Sequence, residues 1–441
     1  MNTTKNNAKA NYLIKYSLFF LIAWCFYGTL ALFAANTGAY SIWSELFGTD
    51  FPRVVGDIAT FGADHFRTGV HPLFVLLINP FGFILKTLVG SPFFASALLV
   101  SMVGALSVTL AYYLFQKITL QFDALLFAIL LAVTSSFIFF SATPETWIFS
   151  AFGIVLVFFW IFDGKNKVLA ILPIGIFSFG IVLTNIVQVC IAYAGNIFQS
   201  QRLRMVFLKT IKLGILILVI SAVLALVQKV IYPSSSLFFA PDSYANENSY
   251  FLDLENIDSV LDKVVLDIEN TFIYNIVAPF PHVQQASQNP EFAERILATD
   301  TIISFQAESI LNYPLPFGFL AILLWLTLAG WAFVNIVSNK LYRQRVMLIS
   351  LVMLLYHLGL FLFYGYPEEL FLYSINGTFI VVLLVAFSLN TKFYSVTKKK
   401  ILRILMFMLI ITALINNLHF FYNCMMLHLE KAPALNMFNL L

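Results

Sequence analysis

At 441 residues the chain is 60% hydrophobic and only 11% charged, with a formal net charge of +3. Ordinary globular domains carry about 25% charged residues, so a soluble enzyme and a nucleic-acid-binding protein are both excluded. Length here counts membrane spans, and we expect one integral membrane domain over 1–441, all-α and polytopic, with about eleven transmembrane helices.

The first apolar run, 11–35, follows Lys5, Lys9 and Lys15 and is long enough to be a retained first helix rather than a cleaved signal. Beyond it lies a loop, 36–91, that carries a polar island from Asp50 to Asn79. Further spans are expected at roughly 92–115, 121–141, 146–162, 168–183, 186–200, 211–231, 315–337, 346–364, 372–389 and 401–420. Two of these, 168–183 and 186–200, are short enough to be broken helices. The segment 71–89 is apolar but contains Pro72, Asn79, Pro80, Gly82 and Lys86, and Pro80 removes a helical donor in mid-segment.

Charge placement decides how that segment lies. With a cytoplasmic N-terminus and a non-crossing 71–89, most of the 25 basic residues fall in inside loops, while Asp123 and Asp163 are the inside acids. Counting 71–89 as a span would reverse every later basic loop. It is therefore expected to be an interfacial or re-entrant helix on the outer face of a plasma or inner membrane. A second outer loop, 232–314, is expected to hold an amphipathic helix from Tyr250 to Asn270, with Phe251, Leu254, Ile257, Leu261, Val264, Val265 and Ile268 at spacings of three and four. Cys25, Cys190 and Cys424 are isolated in sequence and provide no disulfide or metal framework.

The island concentrates chemistry. Asp50 and Asp57 are seven residues apart and share a helix face, which Arg53 joins. Asp64, His65 and Arg67 follow, and His71 opens the interfacial segment. A site that handles a lipid phosphate needs cations for the phosphate oxygens and a carboxylate to take the acceptor's proton. Asp50 and Asp57 are equal candidates for that base, with Asp64 behind them. A divalent cation, Mg or Mn, bridging Asp50, Asp57 and phosphate is a further option.

The island, followed by His71-Pro72-Leu73-Phe74, an apolar stretch, Leu88-Val89-Gly90 and a fresh span, resembles the GT-C glycosyltransferases. Within them it is most similar to the protein O-mannosyltransferase and aminoarabinose-transferase branch. That resemblance implies a GT-C-like fold with juxtamembrane helices in the first outer loop, and a polyprenyl- or dolichyl-phosphate sugar donor. By position it makes Asp50 the catalytic aspartate and Arg53 its following arginine, and it puts His71 where the family has a phosphate-contacting lysine. The chain departs from the pattern in lacking an Asp-Glu pair and in a shorter distance to His71.

Other polar groups are expected on the same side. Glu145, after Thr143-Pro144, is a cavity candidate at a helix start. Asn185 lies between the two short spans, with helix–helix bonding as its rival role. Tyr364, Glu368 and Glu369 belong to a Tyr-Gly-Tyr-Pro-Glu-Glu turn suited to contacting an acceptor. His282 is a weaker candidate, and His357 is expected to be packed. The expected activity is transfer of a sugar from a polyprenyl-phosphate donor to an extracytoplasmic glycan, lipid or protein. Arg53, Arg67 and His71 would hold the phosphate, with His65 assisting. An envelope polysaccharide polymerase or ligase would carry more cations in its later loops than Lys263 and Arg295. A transporter or flippase would place ionisable groups within its spans.

Overall fold

Helix starts and stops follow local chemistry visible in the chain. Ser91 caps a helix that opens on Pro92, its side chain accepting from the Phe94 amide at 3.5 Å. Gly90, at φ 75°, closes the preceding helix in the left-handed conformation that glycine adopts without penalty. The computed structural model describes residues 2–41, 46–163, 168–198, 200–244, 250–251, 257–285, 301–306, 309–310, 312–390 and 394–431.

In chain order the helices are α1 (Asn2–Asn36), α2 (Phe51–Ala59), α3 (Phe74–Val89), α4 (Pro92–Ile118), α5 (Gln121–Ala132), α6 (Ser135–Phe140), α7 (Thr146–Asp163), α8 (Val168–Ile181), α9 (Asn185–Phe198) and α10 (Leu203–Ile231). They continue with α11 (Ile257–Glu269), α12 (Pro316–Ser338), α13 (Arg345–Phe363), α14 (Leu370–Ser388) and α15 (Val396–Lys431). A π-helical turn, Asn270–Tyr274, extends α11. Strands β1 (His282–Gln285) and β2 (Thr301–Ser304) pair antiparallel, His282 opposite Ser304, a small addition to an otherwise all-α chain.

Among the described residues, eight helices are long and apolar enough to cross a membrane. The remaining expected spans take shorter forms. Helices α8 and α9 have 14 residues each, about 21 Å of rise against the ~30 Å of a bilayer core. The expected span 121–141 divides at Val133-Thr134 into α5 and α6. At this break the Val133 carbonyl accepts from Asn417 Nδ2 at 2.8 Å, and the amides of Ser135 and Ser136 donate to Ile276 and Asn275. Asn417 also donates to Ile276 O and accepts from the Ala278 amide. Non-helical backbone is tolerated inside a bundle when protein groups satisfy it in this way. The expected amphipathic helix is shorter than its hydrophobic spacing indicated. Tyr250 and Phe251 are not part of α11, because Phe251 bridges Tyr364 in extended pairing, and Leu254 lies outside the described residues.

One end of the bundle gathers the ends of α1, α6, α10 and α13 and the beginnings of α7 and α14. Tyr40 Oη donates to Ala142 O there, Thr68 Oγ1 to Ser236 O, and the Gly365 amide to Tyr250 O. Beneath this end sits an aromatic knot. Phe47 packs with ring-centroid distances of 4.9 Å to Phe305 and 4.8 Å to Phe371, and Phe305 lies 5.6 Å from Phe420. Phe47 has φ 54°, a conformation that costs a bulky residue of order 1–3 kcal/mol and persists only where its surroundings enforce it. The knot and the Phe47 amide, which donates to Ile303 O at 2.9 Å, provide that enforcement. Gly48 follows, also at positive φ. The double turn delivers Asp50 to the start of α2.

Candidate functional site

Helix α2 is the platform. Arg53 Nε donates to Asp50 Oδ2 at 3.1 Å, one turn away, and Nη1 donates to Asp57 Oδ2 at 2.9 Å on the next turn. The three side chains share one face, as their spacing of three and four residues requires. They are not equivalent. The Asp50 side chain is 29% exposed, whereas those of Arg53 and Asp57 are 4% exposed. Asp57 directs its second oxygen to His65 Nδ1 at 2.6 Å, so each of its buried oxygens already has an internal partner.

His65 is itself enclosed. Its Nε2 faces Phe61 O at 3.3 Å and its ring meets Tyr232 edge-on at 5.4 Å. Both ring nitrogens of His65, the residue expected to assist in holding the phosphate, are turned to internal oxygens, and the ring orients Asp57. Asn79 supports the same platform, donating to Asp57 O at 2.9 Å and accepting from Tyr232 Oη.

The surroundings of Asp50 come from distant parts of the chain. Its backbone amide donates to Glu145 Oε1 at 2.7 Å, and Glu145 Oε2 accepts from the Thr146 amide at the start of α7. Burial outweighs these two donors and the nearby Arg53 charge, pushing the Glu145 carboxyl up to about 8. Glu369 approaches from the far side. A Cβ on Gly48 would stand 2.5 Å from Glu369 Cγ, so only glycine permits this approach. Tyr373 Oη donates to Glu369, and Asp50 and Arg67 are both within its electrostatic reach.

Arg67 is the half-buried cation of the group. Its Cζ lies 5.9 Å from the Tyr250 ring centroid, a cation–π arrangement, and its charge is felt by Arg53 and His71. Tyr250 in turn stacks on Tyr364 at 5.7 Å and leans on Tyr366 at 5.0 Å. The Tyr364–Glu369 turn expected from sequence is thus joined to the first loop through a residue the sequence did not single out. Lys263 of α11 also reaches this turn, donating to Gly365 O at 2.6 Å. Burial pulls its ammonium down to about 8 despite Asp267, Glu369 and Glu368 nearby.

His71 is buried and held in place by its backbone neighbours. Leu73 N donates to Gly180 O at 2.8 Å and Leu183 N to Val70 O at 3.2 Å, zipping residues 70–73 to the end of α8. His71 Nδ1 lies 2.8 Å from Ile181 O. A carbonyl only accepts, so Nδ1 carries the proton. Burial, reinforced by the Arg53 and Arg67 charges, holds the imidazole well below its usual pKa. His71, expected to help hold the phosphate, is thus a buried ring whose surroundings disfavour its charged form.

Three other expected residues stand apart. Asp64 is exposed. Asn185 binds helix to helix, its Nδ2 donating to Ser150 Oγ at 2.8 Å and Ser178 O at 3.3 Å, which is the rival role considered for it. His282 is occupied in strand pairing. Between Asp50 and Asp57, the carboxylates expected to be able to share a Mg or Mn ion, the structure has the Arg53 guanidinium in contact with both. Among the described residues no group of three or more His, Cys, Asp or Glu is placed to hold a metal ion.

Comparison with known proteins adds no identity: no family model, curated protein or solved structure matches the chain.

Proposed function

We propose that the chain is a membrane-embedded, GT-C-like glycosyltransferase that moves a sugar from a polyprenyl-phosphate donor to an extracytoplasmic acceptor. Of the two aspartates on α2, Asp50 is the base. The observation that carries this reading is the difference between them: Asp57 is walled in by Arg53 and His65, whereas Asp50 keeps an accessible oxygen while its backbone is clamped by Glu145.

In the proposed reaction Asp50 takes the proton of the acceptor hydroxyl as its oxygen attacks C1 of the sugar. The C1–O bond to phosphate breaks, and the electron pair leaves on the polyprenyl phosphate. Arg67, half-buried beside Tyr250, would meet those phosphate oxygens in a charge-assisted contact suited to guanidinium. Arg53 acts through Asp50 and keeps that carboxylate oriented. Attack opposite the departing phosphate inverts the anomeric centre.

The test is transfer of radiolabelled sugar from defined polyprenyl-phosphate donors in membranes holding wild-type or Asp50→Asn protein. Removing a general base costs roughly 10²–10⁴-fold, so transfer should drop by at least about 100-fold with insertion unchanged. Undiminished transfer by the Asp50→Asn protein would sink the assignment.

A further inference from the structure

We propose that the groove between α5 and α15 binds an anionic phospholipid of the surrounding bilayer, with its phosphate at Lys399 and Lys400. This site is separate from the one at Asp50. Helix α14 has 19 residues, about 28 Å at 1.5 Å per residue. That length separates Glu369, beside Asp50, from the turn that leads into α15. The groove therefore opens at the opposite end of the bundle, in the other leaflet of a membrane crossed by these helices.

Its construction suits an amphiphile with a negative head. A volume of about 620 Å³ is lined by Phe122 and Leu126 from α5 and by Lys399, Lys400, Arg403 and Phe407 from α15. Ligand clefts commonly enclose about 300–1,000 Å³. The floor is apolar and open to lipid, Phe122 being 53% and Phe407 59% exposed. The acid at the mouth is already neutralised: Arg403 Nε meets Asp123 Oδ1 at 2.6 Å and Nη2 meets Oδ2 at 3.3 Å. That pair also holds the guanidinium 5.1 Å from the Phe122 ring centroid, fixing the wall between head and floor. Among the described residues no carboxylate pairs with Lys399 or Lys400, so two positive charges remain above an acyl-sized apolar channel. A zwitterionic headgroup brings its own cation and gains little here, whereas a phosphoglycerol head gains both charges.

The experiment is native mass spectrometry of the full chain in detergent, titrated with dioleoyl phosphatidylglycerol or dioleoyl phosphatidylcholine. Wild type should retain the glycerol lipid at least fivefold better than the choline lipid. A Lys399→Ala/Lys400→Ala protein should lose that preference, and Lys399→Arg/Lys400→Arg should keep it. Both substitutions leave the Asp123–Arg403 pair intact, and the wild-type comparison stands without any variant. Equal retention of the two lipids by wild type overturns the proposal, as does an unchanged preference in the alanine variant. A dimer that the alanine variant fails to form would give the groove to a second copy instead and also overturn it.

Discussion

The amide of Asp50 and the carboxylate of Glu145, 95 residues apart in sequence, meet at 2.7 Å. This bond joins the opening loop to the start of α7 and anchors the carboxylate proposed as base. Because Glu145 is buried and its carboxyl titrates near 8, instead of near 4.5 as in an open chain, the folded protein holds this proton more tightly than the unfolded chain does. Between about pH 4.5 and about pH 8 the native state therefore binds more protons, and stability falls as pH rises through that window. The contribution is on the order of a few kcal/mol at most. Melting of wild type and Glu145→Gln at pH 5 and pH 9 should show wild type losing ground to the variant at the higher pH. Parallel profiles would mean that Glu145 does not titrate in this range.

Asp50 and Asp57 should separate cleanly by the kind of damage they cause. Asp57→Asn strips a buried guanidinium and a buried imidazole of their shared partner, a class of change that costs about 3 kcal/mol. Its melting temperature should drop by several degrees and little folded protein should accumulate. Asp50→Asn should melt near wild type while losing transfer. Equal stability of both variants would contradict the burial asymmetry on α2.

Gly82 is where α3 touches α2. A Cβ there would stand 2.1 Å from the Ile58 carbonyl oxygen and 2.6 Å from Ile58 Cγ2. Backbone cannot step aside as a side chain can, so Gly82→Ala must lever α3 away from the helix that carries Arg53 and Asp57. Overpacking of this kind costs roughly 1–3 kcal/mol. A thermal shift assay in detergent should show the loss, and an unaltered midpoint would mean that the two helices are not this close.

Arg67 should act on donor binding more than on turnover. If it meets the donor phosphate, Arg67→Ala should raise the apparent KM for the polyprenyl-phosphate sugar by about tenfold or more, in line with the ~1.5–3 kcal/mol of a charge-assisted bond. Arg67→Lys should recover part of this, since the charge stays and the planar fork is lost. Steady-state kinetics with varied donor decides the point. A KM unchanged in Arg67→Ala, with only kcat reduced, would remove the phosphate from this residue.

Sequence spacing foretold what a single helix can display. Asp50, Arg53 and Asp57 lie on one face of α2, and residues 74–89 form the 16-residue helix α3 expected around Pro80. It was blind to differences that only tertiary packing creates. Asp50 and Asp57 read alike along the chain, and the walls around Asp57 come from His65 and from the Asn79–Tyr232 contact. The setting of His71 was hidden for a similar reason, since its burial beside Arg53 and Arg67 and its bond to the Ile181 carbonyl, 110 residues away, exist only in the fold. The break after α5 was equally hidden, because Val133 is held out of helix by Asn417 rather than by any local glycine or proline. Tyr250 was read only as the start of an amphipathic helix, and it joins the site through Arg67 and Tyr364, contacts that its sequence neighbours do not reveal.

The closeness of Glu369 to Gly48 has a consequence for biosynthesis. The two residues are delivered at widely different times, so the opening carboxylates emerge from the ribosome while their last neighbour has yet to be translated. Until the stretch leading into α14 is made, Gly48 lacks the carboxylate that lies against it. A nascent chain halted before that helix would hold Asp50 and Glu145 together without Glu369.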